Sequence, residues 1–516
     1  MLWGTWLTAN ICMWMNDVAA AWLMTSLTTS PIWVALVQTA STLPVFLLGL
    51  PSGALADILD RRRYFIVTQF WVAGVALLLC LVILSGGMTR SLLLALTFAN
   101  GIGLAMRWPV FSAVVPELVP RMQLPAALAL NGIAMNASRI VGPLIAGALI
   151  ASVGSVYVFV LNAVLSVLAG FVLMRWRREH VPSPLGRERL LSAMRVGVQF
   201  VRQSARLKAA LLRIALFFFH STALLALLPL VARGLRGGGG GAATFTLLLA
   251  AMGSGAIVAA LFLPRLRRAM SRDTLVTRGA LLQSLTTAAV AFSDNLVLTT
   301  CAMFLAGMAW ITTANSLSVS VQLALPDWVR ARGMSMYQMA IMGASAVGAA
   351  LWGQVATVGT VQISLIIAAV SGALTMLGAN VFLADRSVEE DLTPSHEFKI
   401  PIVATPPATG HVQMTIEYRI DPARADDFRA LMQESRRSRL GHGALRWELL
   451  RDIADPGCYI EQVLDESWVE HLRRFDRVTK ADVALRDRKL AFHTGPSAPL
   501  VTRRVVEAPG NTRAGR

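Results

Sequence analysis

Charge is what this sequence has least of. Of its 516 residues only 15% are charged, against about 25% in soluble domains. Acids are the scarcer sign: 30 Asp and Glu stand against 47 Lys and Arg, a formal net charge of +17. Cysteine is equally thin, with Cys12, Cys80, Cys301 and Cys458 far apart. That spacing excludes a zinc ribbon, a Cys-x-x-Cys redox pair and a disulfide scaffold, and free thiols are expected. No metal, other cofactor or catalytic residue is therefore assigned. The glycine run 237–241 lacks the preceding strand and the following Lys and Ser or Thr of a phosphate loop, and reads as a flexible outer connector. The opening "MLWGTWLTANICMWMND" lacks a basic region and a small-residue cleavage site, which excludes a signal peptide. It enters an apolar run almost at once; the cytoplasmic arm is short or missing, which leaves room for an upstream start.

What the chain has instead is hydrophobicity, 55% of residues. Runs of roughly 20 apolar residues, long enough to cross a bilayer, recur along most of it. They predict twelve spans, at 2–26, 32–54, 65–85, 90–112, 125–150, 155–175, 209–232, 242–263, 274–293, 295–324, 333–357 and 361–384. The bases collect on one side, at Arg61–Arg63, Arg121, "RWRREHVPSPLGRERLLSAMR", "RLRRAMSR" and "DWVRARG", whereas the other side carries only Arg90, Arg233 and Arg236. Basic loops resist translocation, so the basic side is cytoplasmic, and an even span count places both termini there. The excess of base is thus a membrane signature. Nucleic acid is not an expected partner, because no recognition module accompanies it.

Residues 176–208 divide the spans into an N-terminal half, 1–175, and a C-terminal half, 209–385. This linker holds an amphipathic basic helix near 187–206, expected to lie along the membrane surface. After Asp385 the composition turns polar and proline-rich, and 386–410 reads as a second linker. Residues 411–500 read as a small cytoplasmic α+β domain, followed by a basic tail, 501–516. Its "HVQMTIEYRI" alternates as a strand, Asp421-Pro422 opens a helix, and strands flank the Asp455-Pro456-Gly457 turn. A helix at "ESWVEHLRRFDRV" and a strand at "APLVTRRVV" complete a ferredoxin-like βαββαβ order.

The loop after the second span reads "GALADILDRRR". It resembles the loop signature of the major facilitator superfamily, with Gly53, Asp57, Arg61 and Arg62 matching, Ile58 where a base is usual and Asp60 where glycine is usual. The resemblance implies a cytoplasmic gate in which Asp57 and Arg61 hold the halves together on the inside, while Asp60 pairs locally with Arg62 or Arg63. The stretch from Ala19 to Arg63, with "VPELVPRMQLPAALALNGIAMNASRIVGPLIAGAL", is similar to the transmembrane secretion effector branch, which holds the enterobactin exporter and macrolide efflux proteins. Gly142, Pro143 and Gly147 resemble the span-five signature of exporters with its spacing loosened. Small residues there allow close approach of a helix from the other half. In span four, Asn100, Gly101, Gly103 and Ala105 fit the family's signature, but Thr97 stands where its arginine would be, a departure that speaks against the usual arginine-centred proton relay.

Ionisable groups inside spans are the strongest functional pointers, since each costs roughly 2.5–3.5 kcal/mol unpaired. Asp17 in span one and Arg139 in span five lie at similar depth, and the resembled fold makes those spans neighbours; they are expected to pair, with Asp17 the proton-titrating group. Arg107 lies nearer the cytoplasmic end and is expected to snorkel. Polar stripes at helical spacing mark the expected substrate cavity: Asn10 and Met13 with Asp17, then Asn315, Ser318 and Gln322, then Gln338 with Ser345. The C-terminal region is similar to antibiotic-biosynthesis-monooxygenase-like domains, carried by "CYIEQVLDESWVEHLRRFDRVTKAD". That resemblance implies a homodimer through this domain, and an enzyme reading would place His471, His442 or Trp447 in a cofactor-free oxygenation or haem-degrading site; the histidines are isolated, with no base–orienter arrangement, so a packing or regulatory role is expected for them.

The expected fold is an all-α membrane protein, a twelve-span 6+6 major facilitator fold, followed by the ferredoxin-like domain. The expected function is secondary active export of a small amphipathic siderophore, macrolide or other drug from the bacterial cytoplasm, driven by protons and working within the lipid bilayer. A transporter–enzyme fusion and a non-transporting membrane sensor are the alternatives.

Overall fold

The computed structural model describes residues 2–58, 60–118, 123–175, 190–235, 241–383, 390–401, 403, 405–407 and 409–507. Two compact units divide the chain: one holds 1–181, 209–321 and 334–384, the other 182–208, 322–333 and 385–516.

The first unit is helical. Its N-terminal half comprises α1 (Leu2–Leu27), α2 (Pro31–Ile58), α3 (Arg61–Leu84), α4 (Arg90–Leu118), α5 (Leu124–Ser152) and α6 (Ser155–Met174). After the short α7 (Leu190–Gln203) come α8 (Ala205–Gly234), α9 (Ala242–Ala269), α10 (Arg272–Phe292), α11 (Leu296–Leu323), α12 (Arg330–Val358) and α13 (Val361–Phe382). Each expected span falls on one of these long helices, and among the described residues nine helices are long and apolar enough to cross a membrane. Helix ends outrun the apolar runs where bases reach water: α9 continues through "RLRRA" to Ala269.

Breaks have local causes. Gly86 and Gly154 take φ of 70° and 102° at tight turns, a region that costs residues with a Cβ. Asp60 caps α3 by accepting the Arg63 backbone N–H at 2.9 Å. The ion pair expected of Asp60 is with the Arg62 or Arg63 side chain; this bond goes to the Arg63 backbone instead.

Helices of the two halves meet along two seams. α2 touches α12, where Thr39 donates to the Ala346 carbonyl at 2.9 Å. α5 touches α9, where a Cβ on Gly147 would lie 2.6 Å from the Thr246 hydroxyl. The largest apolar cluster, with Met24, Val34, Leu227, Phe245 and Trp352, draws on both halves. Near it Trp22 of α1 stacks on Phe245 of α9 with centroids 5.4 Å apart, and Arg233 of α8 lies 5.3 Å above Trp22.

The second unit contains a sheet of β1 (His411–Arg419), β2 (Arg446–Arg451), β3 (Cys458–Asp465) and β4 (Leu500–Val506), with α14 (Ala425–Gly441), α15 (Trp468–Asp476) and α16 (Lys480–Leu490). The strands run β2-β3-β1-β4, every pair antiparallel, and the expected βαββαβ order holds. β1 alternates as its sequence does, burying Val412, Met414, Ile416 and Tyr418. Asp421 caps the helical segment, accepting the Ala423 N–H at 2.9 Å. Trp468, His471 and Arg474 form the buried stripe of α15.

The linker helix α7 packs in part against this unit. Val196 is 1% exposed and packs on Gly443, whose φ of 107° and missing Cβ both suit the contact. Gln199 donates to the Ala444 carbonyl at 3.3 Å, Arg195 pairs with Glu466 at 2.6 Å, and Ser192 bonds the same carboxylate.

Candidate functional site

α1 contributes a turn bearing Trp14 and Asp17 to the interior of the helical unit. Asp17 and Arg139 do not pair with each other among the described residues. The Asp17 carboxylate lies beside Ser41 of α2, and its Oδ1 is buried with no hydrogen-bond partner. Arg139 of α5 instead sits among aromatic rings, 5.7 Å from the Trp14 centroid and 5.1 Å from that of Trp310 on α11. A guanidinium stacks well on such faces. It also lies beside Tyr337 of α12, which in turn contacts Ser318 of α11. Arg139 therefore reaches across from the N-terminal half to two helices of the C-terminal half. Trp14, Trp310 and Tyr337 were not singled out from sequence; their signal is the coincidence of aromatic residues at the depth of a buried cation.

The exporter-signature glycines both serve close approach. A Cβ on Gly142 would fall 2.9 Å from the Ile11 carbonyl of α1, and one on Gly147 meets Thr246 of α9. Gly142 thus seats α5 on its own half, Gly147 on the other. Pro143 sits buried between them within α5.

Among the stripe residues, Met13, Asn315, Ser318 and Gln338 are half-buried. Asn10 is 0% exposed, and its amide donates to the Trp6 carbonyl one turn back at 2.8 Å, so it is a packed residue rather than an open lining one. Gln322 is exposed and belongs to the second unit.

Arg107 does not snorkel. It is 1% exposed, donates to Gln69 at 3.4 Å and to the Ala9 carbonyl at 3.2 Å, and faces Trp6. The chain continues from Gln69 to the Ser166 carbonyl, from Ser166 to Asn162 and from Asn162 to Asn16. Such a bonded polar seam fixes α1, α3, α4 and α6 against one another. Thr97 bonds the Leu93 carbonyl of its own helix at 2.8 Å.

At the basic end, the side chains of Gly53, Asp57 and Arg61 lie outside the described residues. Arg62 donates to the Met174 carbonyl at the end of α6. That contact ties α3 to α6 inside one half and satisfies a helix-terminal acceptor, so Arg62 acts here within its half.

In the sheet unit His471 donates from Nδ1 to Asp465 at 2.7 Å and accepts from Arg503 at Nε2, 3.0 Å. Those two bonds together define a neutral imidazole with both nitrogens engaged. His442 lies 3.6 Å from Asp482, and Trp447 donates to Glu461 at 3.0 Å. All three residues flagged from sequence are bound into the packing. The described residues hold no cluster of three or more metal-ligating side chains.

Two seams between six-helix halves, close-approach glycines at both, and a buried cation spanning the junction describe a transporter frame. The profile of the transmembrane secretion effector family matches residues 1–510. The chain belongs to this family. It is 24% identical to the MFS-type transporter YfiS of Bacillus subtilis (strain 168), over 71% of this chain and 90% of that protein. It is 20% identical to the staphyloferrin A transporter of Staphylococcus aureus, over 63% of this chain and 81% of that one. Macrolide efflux protein A of Streptococcus pyogenes is 26% identical over 42% of this chain and 54% of its own length. In fold it is similar to the nucleoside transporter NupG, with a TM-score of 0.58 at 13% identity, covering 74% of this chain and 98% of that one. A POT family transporter matches at a TM-score of 0.57, also at 13% identity, over 73% and 96%.

Proposed function

We propose that this protein is a proton-coupled exporter of small amphipathic molecules, of siderophore, macrolide or other drug type. It crosses the cytoplasmic membrane twelve times with both termini inside, and its two halves alternate about a central path. The names of the staphyloferrin and macrolide relatives support the cargo class. The observation that carries the mechanism is Arg139, held by Trp310 and Tyr337 of the opposite half while resting on Trp14, three residues from Asp17.

An ionised Asp17 without a cation is costly inside a span, roughly 2.5–3.5 kcal/mol. Protonation removes that cost, and so does the approach of Arg139. With Asp17 protonated, Arg139 stays on the aromatic faces and Tyr337, and the junction between halves holds. With Asp17 ionised, Arg139 turns toward it and loosens that junction. Met13, Asn315, Ser318 and Gln338 line the path near this switch; Asp57 and Arg61 form the inner gate. A pairing of two chains through the sheet domain rests on its resemblance alone.

The test is Asp17→Asn in inverted vesicles. Cargo export is expected to lose its dependence on the proton gradient and its pH profile, with expression unchanged. Full gradient-driven export by that variant overturns the assignment.

A further inference from the structure

The sheet domain carries a half-open cavity that the transport reading does not use. Its volume is about 290 Å³, roughly twice the ~150 Å³ apolar cavity that admits benzene, so it has room for a body of about two rings. Met414 and Ile416 of β1 form the floor, and Phe475 and Leu485 line the helical side. An apolar wall of this kind takes an apolar body.

The polar part of the lining is lopsided. Its carboxylates are already engaged. Glu461 behind the wall takes Ser435, Trp447, Lys489 and Arg439. Asp465 takes His471 and Arg474. Asp482 takes Ser438 and Thr479 and faces His442. Arg486 is balanced by Asp487 and Glu397. Arg439 and Lys489 pair with Glu461, and Arg474 with Asp465. Arg503 has no carboxylate partner among the described residues and is bonded at Nε to a neutral imidazole. Beside it Arg474 is 6% exposed, lines the cavity, and keeps a buried Nε–H without a hydrogen-bond partner.

We propose that this cavity binds a small monocarboxylate with an apolar, ring-sized body, its carboxylate held by Arg503 and Arg474 and its body against Met414, Ile416, Phe475 and Leu485. The site is separate from the transport path, and the proposal stands whether or not Asp17 couples to protons.

The experiment is calorimetric titration of the full chain in nanodiscs with 2-naphthoate and with uncharged 2-naphthamide, empty nanodiscs serving as the blank. One saturable naphthoate site per chain is expected, with naphthamide about tenfold weaker. Arg503→Gln should weaken naphthoate about tenfold and leave naphthamide within about twofold. Leu485→Trp should remove both. Equal affinity for the two probes, no saturable naphthoate binding, or an unchanged affinity in Arg503→Gln each overturns the proposal. Arg503 is half-buried on β4, so that variant decides the matter even if Leu485→Trp fails to fold.

Discussion

At the scale of single residues, the sheet domain concentrates its polar energetics on Glu461, which is 0% exposed. Burial disfavours its charge, and Lys489 and Arg439 outweigh burial, holding the carboxyl well below the usual range. Glu461→Gln would leave those cations buried and unpaired, a loss of about 3–5 kcal/mol, read as faster hydrogen exchange of β3 amides in the full chain. Asp465 and His471 set the pH dependence. Burial lowers the His471 imidazole against the opposing pull of Asp465, so on acidification the unfolded histidine takes up its proton first. Stability from this group is therefore lost as pH falls below about 6.5. Asp465, raised by burial but drawn down further by Arg474 and His471, settles at about 2. Its contribution is present above the ordinary carboxylate value and disappears as pH falls toward 2. Sheet protection should thus decline gently below about pH 6.5 and steeply below about pH 4; a flat profile from pH 7 to 4 contradicts the assignment. None of this pairing was legible in the sequence. Glu461, Lys489 and Arg439 lie far apart along the chain, and a buried carboxylate in an alternating strand reads as a solvent-facing one.

At the scale of elements, the helices were legible because apolar runs of membrane length have few other physical outcomes, and the loop bases set the expected sidedness. What periodicity could not give was the neighbour. It placed Gly147 on a close-packed face without naming Thr246, and marked α7 as amphipathic without naming Ala444 or Glu466 as partners. The same limit misread Arg107, since a base near a span end looks alike whether it reaches water or the buried Gln69. The α5–α9 seam offers a sharp test. Gly147→Ala drives a Cβ into Thr246, whose hydroxyl and methyl both stand 2.6 Å away, and overpacking of this kind costs about 1–3 kcal/mol. Export should fall several-fold in Gly147→Ala and recover in the double variant with Thr246→Gly. No recovery would place the defect elsewhere than in this contact.

At the scale of the whole molecule, the chain divides differently from its composition. The polar linker and the α11–α12 connection group with the sheet domain, where Trp328 packs edge-on to Phe200 of α7 with centroids 5.5 Å apart and beneath Arg477. Sequence segments are cut by composition, but compact units are cut by contact, and a loop joining two spans can belong to the domain that grips it. The proposed inner gate offers a test at this scale. Of the two acids in "GALADILDRRR", Asp60 is occupied at the start of α3, accepting the Arg63 N–H. Asparagine caps a helix about as well as aspartate, so Asp60→Asn should leave the local structure and export close to wild type. Asp60→Ala should cost about 1 kcal/mol of stability through the lost cap. Asp57 is the acid that the loop signature leads one to expect between the halves. Asp57→Asn should then reduce export several-fold more than Asp60→Asn at equal expression, measured as cargo accumulation in inverted vesicles. The opposite order would make Asp60 the gating carboxylate and its capping bond secondary.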